Sequence, residues 1–272
     1  MKKLLSILIF SSLLFAKTNV IVTVLPQKLF VDKIGGERVE TSVMVEAGAS
    51  PHTYNPKPSQ MLNISRADIY FTIGLEFEKV WLDKFINQNK NLKVIDSAKG
   101  IKKSKEAHHD ELDPHVWVNP NNVKDIVRNI TQALIQQDQN GSDYYKKNLQ
   151  AFLLELDKID EKIKKILEKS PKNSAFMVFH PSWGYFAQQY GLRQIAVEIE
   201  GKEPKMRALV KLMKKAKKEQ IRAIFTQPEF SDKSAKILAN NLDIKVIKAS
   251  PLADNWSENL IDLAKAIANK EL

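Results

Sequence analysis

The 272-residue chain contains no cysteine. That excludes disulfides, cysteine-based zinc fingers, iron–sulfur clusters and a thiol nucleophile. Stability must come from packing and from whatever the protein binds. Long apolar runs are also missing. The longest, residues 4–15, falls short of the roughly 20 residues needed to span a bilayer. It follows Lys2 and Lys3 and ends at the small residue Ala16, so residues 1–16 read as a signal peptide. No cysteine follows that run to carry a lipid. An exported, periplasmic protein is expected. Arginine-rich recognition helices and nucleic-acid motifs are absent too. The net charge of +10 comes mostly from lysines interleaved with Asp and Glu, a pattern that reads as a solvated surface. No nucleic-acid partner follows from it, and no heptad seam argues against a monomer.

Apolar residues make up 43% of the chain, enough for a sizeable core, and the length suggests two lobes. Short β-branched runs at 19–24, 39–45, 68–73, 92–95 and 116–118 alternate with helical patterns at 27–34, from 59, 81–88 and 121–137. After Asn140-Gly141, one amphipathic pattern runs from 142 to 168. A helix of that length extends about 40 Å and reads as a rigid connector. The alternation resumes with strands at 174–179, 194–198, 223–225 and 244–247, and helices at 183–190, 204–218, 231–240 and 256–270. Strands alternating with helices predict an α/β fold of two mainly parallel sheets flanked by helices. The expected divisions are a signal at 1–16, a first lobe at 17–141, the connector at 142–170 and a second lobe at 171–272.

Histidine is scarce, with five in the chain, and three share proline neighbours: Ser50-Pro51-His52, Asp113-Pro114-His115 and Phe179-His180-Pro181. They lie 63 and 65 residues apart (115 − 52 and 180 − 115). Each bounds a predicted strand. In open α/β sheets, sites form beyond the carboxyl ends of strands, so a site drawn from all three falls in the cleft between the lobes. Neutral imidazole is the commonest metal ligand. Three imidazoles with a carboxylate suit tetrahedral Zn²⁺. Spacing alone does not separate that reading from three unrelated loop histidines.

Four motifs carry a resemblance. These are Gly48-Ala49-Ser50-Pro51-His52-Thr53-Tyr54-Asn55-Pro56-Lys57-Pro58-Ser59, Asp113-Pro114-His115-Val116-Trp117, His180-Pro181-Ser182-Trp183-Gly184-Tyr185-Phe186 and Glu200-Gly201-Lys202-Glu203-Pro204. In this order they resemble the zinc and manganese substrate-binding proteins of ABC importers, the ZnuA/TroA-like family, and most its zinc-binding branch. The resemblance implies two α/β lobes joined by one long helix, with the metal between them. It implies an extracytoplasmic solute-binding protein, not an enzyme, that captures a divalent metal and delivers it to a membrane permease and its ATPase. By motif, His52, His115 and His180 match the three ligand positions and Asp254 the fourth. Glutamate at the third position marks manganese-selective members, and His180 there points to Zn²⁺. Mn²⁺ or Fe²⁺ is the alternative cargo. A zinc hydrolase with water in the fourth position is the alternative from another class, although no general base with a motif context accompanies the histidines. A surface adhesin is a further one. His108-His109, among Glu106, Asp110 and Glu111, stand where zinc members carry a histidine-rich loop and form a possible auxiliary metal site. The family's Glu-Pro-Gln appears here as Gln227-Pro228-Glu229. Asp113 and Asn119 are candidates for shaping the His115 loop, and Trp117 for packing.

Overall fold

The computed structural model describes residues 17–104, 112–199 and 202–268. Two four-stranded parallel sheets dominate it. The first is built from β1 (Thr18–Val22), β2 (Val39–Val43), β3 (Ile69–Thr72) and β4 (Lys93–Asp96), in the order β2-β1-β3-β4. Helices α1 (Leu25–Gly35), α2 (Pro58–Arg66) and α3 (Glu76–Gln88) make the crossovers. Parallel neighbours need such crossovers, and the covered sheet then favours near-continuous apolar strands. Ile69 to Thr72 are accordingly all buried.

The second sheet repeats the plan with β5 (Ala175–Val178), β6 (Arg193–Ala196), β7 (Ala223–Thr226) and β8 (Lys245–Lys248), ordered β6-β5-β7-β8. Its crossovers are α6 (Gly184–Gln189), α7 (Met206–Lys218) and α8 (Lys233–Leu242). The chain therefore has an internal architectural repeat without a repeated sequence. In both sheets the strand order reverses beside the first strand, which opens a crevice at the carboxyl ends.

Between the sheets run α4 (Pro120–Gln137) and the 26-residue α5 (Ser142–Leu167). At 1.5 Å per residue, α5 is about 39 Å long. It packs against α1, α4 and the final helix α9 (Trp256–Ile267). One apolar core continues through α5 from the first sheet to Phe176, Trp183, Phe225 and Trp256 of the second half. A separate core fills the outer side of the second sheet, around Met177, Val197, Leu209 and Leu238. No helix among the described residues is long and apolar enough to cross a membrane.

Two local expectations are corrected. Residues 116–118 form a single 3₁₀ turn rather than a strand. All three are buried, and the turn is held across the lobes instead of along a sheet edge. The Trp117 indole donates to the Pro251 carbonyl at 2.7 Å, and the Trp256 indole donates to the Trp117 carbonyl at 2.9 Å. The second correction is that α3 begins at Glu76, not near 81. The Glu78 carboxylate accepts from the backbone amides of Ile73, Gly74 and Leu75, at 2.9, 2.7 and 3.2 Å. Those amides would otherwise be unsatisfied at the helix start. Burial raises the Glu78 carboxyl above its ordinary range, although Thr23 and these amides pull the other way.

Candidate metal centre

Each of the three proline-flanked histidines is oriented by a carboxylate. His115 Nδ1 lies 2.8 Å from Asp113 Oδ1, and the same oxygen accepts from the His115 backbone amide at 2.9 Å. His180 Nδ1 lies 2.9 Å from Glu198 Oε1. His52 Nδ1 lies 3.1 Å from Glu76 Oε2. An ionised carboxylate only accepts hydrogen bonds, so a neutral imidazole in such a pair carries its proton on Nδ1 and leaves the lone pair on Nε2. His180 Nε2 is buried and has no hydrogen-bond partner. The Asp113–His115 and Glu198–His180 pairs are buried, whereas His52 and Glu76 are 37% and 56% exposed. His52 therefore stands at the rim and the other two inside.

The fold brings the three together from both halves. His52 follows β2 and His115 follows β4, while His180 follows β5. His180 faces both others, with ring centres 5.4 Å from His52 and 5.5 Å from His115. Two imidazoles on one tetrahedral zinc, with Zn–N of roughly 2.0–2.1 Å, place their ring centres about 5 Å apart. All three line one cavity with Pro51, Leu75, Trp117, Phe230, Pro251 and Leu252, and with Glu229. The cavity measures about 20 Å³, room for about one water-sized sphere. Phe230 stacks on His180 with ring centres 4.7 Å apart and planes at 27°. Among the described residues, no group of three or more histidine, aspartate and glutamate side chains is drawn tightly enough to hold an ion as it stands.

The Gln227 amide sets the backbone of His180. Its oxygen accepts from the His180 amide at 3.3 Å, and its nitrogen donates to the His180 carbonyl at 2.8 Å and to Ser182 Oγ at 3.0 Å. Behind His115, Gly184 opens α6 against Asp113. A Cβ there would lie 2.7 Å from Asp113 Oδ2, so this position admits only glycine without displacing the carboxylate. The Tyr185 hydroxyl donates to the Asp113 carbonyl at 2.9 Å and accepts from the Ser104 amide at 3.0 Å.

Residues 20–270 match the family model described as "ZnuA: Zinc-uptake complex component A periplasmic". The chain belongs to the ZnuA family. The high-affinity zinc uptake system protein ZnuA of Bacillus subtilis (strain 168) is 28% identical over 247 residues, 84% of this chain and 76% of that protein. The zinc-binding lipoprotein AdcA of Streptococcus pneumoniae (strain ATCC BAA-255 / R6) is 26% identical over 260 residues, and the chain spans only 52% of its length. Among solved structures, a crystal structure of ZnuA superposes with a TM-score of 0.89 at 40% identity, covering 93% of this chain and 99% of the other. A ZnuA deletion mutant with zinc bound gives 0.88 at 40% identity, covering 94% and 98%. The laminin binding protein Lmb of Streptococcus agalactiae, at 22% identity, TM-score 0.83 and coverage of 93% and 100%, shares the fold.

In this ZnuA-family chain, the structure does not bring Asp254 to the cavity, contrary to the motif-based expectation. Asp254 is exposed and does not line the cavity, and its Oδ1 accepts from the Asn255 amide at 2.8 Å. The carboxylate that does line the cavity is Glu229. Asn119 caps α4, accepting from the Asn121 amide at 2.9 Å, and so fixes the exit of the His115 loop. His108 and His109 lie outside the described residues, as do Glu200 and Gly201. Reading the sequence missed Glu76 and Glu198, and it named Glu229 in Gln227-Pro228-Glu229 without giving it a place at the site. Their common sequence signal is position: Glu76 and Glu229 follow, and Glu198 ends, a predicted strand.

Proposed function

We propose that this chain captures Zn²⁺ outside the cytoplasm and passes it to the membrane permease and ATPase of an ABC importer. The supporting observation is the set of three imidazoles from separate loops, gathered at one small cavity, each with Nδ1 held by a carboxylate. Such pairs fix the tautomer and raise the basicity of the ligating nitrogen. His52, His115 and His180 each offer Nε2 to the ion. Nitrogen-rich ligation favours zinc over manganese, and the family's description and the relatives' names point the same way. The apolar rim of Leu75, Trp117, Phe230 and Leu252 excludes water once the ion is in place.

The chain's task is binding and transfer rather than catalysis. Residues 1–16 direct export, residues 17–141 and 171–272 form the two lobes, and residues 142–170 join them. The mature protein acts as a monomer. Zinc displaces protons from its ligands, so acid weakens capture. The test is metal analysis of protein purified without added metal, followed by competitive titration. Zinc should co-purify and should outcompete Mn²⁺ and Fe²⁺. Tighter binding of Mn²⁺ than of Zn²⁺ would sink the assignment.

A further inference from the structure

We propose that Glu229 is the fourth zinc ligand and that Ser250 is the residue that positions its carboxylate. The inference rests on the three-histidine reading above. Glu229 Oε2 is buried and has no hydrogen-bond partner. Leaving a carboxylate oxygen buried and unpaired is costly, and such groups ordinarily find a donor or a cation. Its other oxygen is committed: Oε1 accepts from Ser250 Oγ at 2.7 Å. Ser250 is itself fixed. Its Oγ accepts from the Leu252 amide at 3.0 Å, and its carbonyl accepts from the Asn259 side chain at 2.8 Å, which ties the arrangement to α9. Glu229 is thus held by one oxygen, its other oxygen is unpaired, and the residue lines the same cavity as His52, His115 and His180.

The neighbouring carboxylates do not compete for this role. Glu198 Oε2 is also buried and unpartnered, but Glu198 Oε1 is spent on His180 Nδ1 and the residue does not line the cavity. Asp254 is exposed. The order Gln227-Pro228-Glu229 also divides the labour correctly. The residue at 227 must both accept from and donate to the His180 backbone, which an amide does and a carboxylate cannot. The residue at 229 must offer a lone pair and a negative charge, which a carboxylate does. Three neutral imidazoles and one carboxylate close a tetrahedral shell around Zn²⁺ and leave no position for an activated water.

The experiment measures Zn²⁺ affinity by competition with a chromogenic chelator, and the visible spectrum of the Co²⁺ form, for the full chain and for Glu229→Gln, Ser250→Ala, Asp254→Asn and His180→Ala. Glu229→Gln should weaken zinc by about 100-fold or more and alter the Co²⁺ bands. Ser250→Ala should weaken it by about 10-fold, and Asp254→Asn should leave it within about twofold. The metal-free melting temperature of Glu229→Gln should not fall, because the substitution removes an unpaired buried charge. Should Glu229→Gln fail to fold, Ser250→Ala and Asp254→Asn carry the decision. Wild-type affinity in both Glu229→Gln and Ser250→Ala, or a weakened Glu229→Gln with unchanged Co²⁺ bands, overturns the ligand role while leaving the three-histidine reading intact. An unchanged His180→Ala overturns that reading itself.

Discussion

At the scale of single residues, the site is built from pairs. A histidine in a loop points anywhere its χ angles allow, and what selects one direction here is a carboxylate on Nδ1. The weak point of such a pair is the space behind the carboxylate. Gly184 is that space for Asp113, since an added Cβ would lie 2.7 Å from Oδ2. Gly184→Ala should therefore weaken zinc by about 10–100-fold, the usual cost of disturbing a partner behind a ligand. It touches no ligand itself. Equilibrium titration of the variant checks this, and wild-type affinity would show that Asp113 does not govern His115. The two buried pairs and the rim pair also differ. Loss of Glu76 exposes His52 to solvent alternatives, whereas loss of Asp113 or Glu198 leaves a buried imidazole without its acceptor.

At the scale of elements, the turn between α4 and α5 decides how the long helix leaves the first lobe. Asp138 Oδ2 accepts from Arg38 Nε and from the Tyr145 hydroxyl, both at 2.7 Å. Gly141 lies so close that a Cβ would meet Arg38, Asp138 and Tyr145 at 2.6 Å each. Burial works against the charge on Asp138, but the hydrogen bonds from Tyr145 and Arg38 and the nearby guanidinium outweigh it, and the carboxyl lies below its ordinary 3.8. The same cluster, burial first and then the Asp138 bond, pushes the Tyr145 hydroxyl up to about 12. A depressed carboxyl stabilises the fold above its unfolded value and loses that contribution as pH falls through its native value. Asp138→Asn should thus cost about 1 kcal/mol at pH 7. The difference from wild type should shrink to nothing as pH falls below about 4. Chemical denaturation of both proteins across that range measures it, and a pH-independent difference would contradict the assignment.

At the scale of the whole molecule, several ties resist a wide hinge. The helix α5 spans both halves, one apolar core is continuous through it, and across the junction the Trp117 indole donates to the Pro251 carbonyl and the Trp256 indole to the Trp117 carbonyl. Phe30 of α1 meets Trp256 of α9 edge-on at 5.2 Å, so the last helix returns to the first lobe. Zinc capture should accordingly draw in side chains and loops rather than close two jaws. Small-angle scattering of metal-free and zinc-loaded protein should give closely similar radii of gyration, and a large compaction on binding would refute the rigid connection. Zinc should still stabilise the fold by mass action, by about 4 kcal/mol at a thousandfold excess over Kd.

The sequence by itself determined the α/β class, the long connecting helix and the three histidines. Each of those rests on local information: β-branched runs for strands, period-3.6 apolar spacing over 142–168, and loop histidines beside prolines. What it could not carry is pairing in space. Residues 116–118 read as a strand because three apolar residues in a row suit a buried strand and a buried turn alike; only Pro251 and Trp256, more than 130 positions away, decided for the turn. Asp254 and Glu229 are both acidic residues beyond second-lobe strands. Tertiary structure separated them, exposing one and burying an oxygen of the other beside the histidines, because solvation and the reach to Ser250 depend on where the strands end and not on their order in the chain.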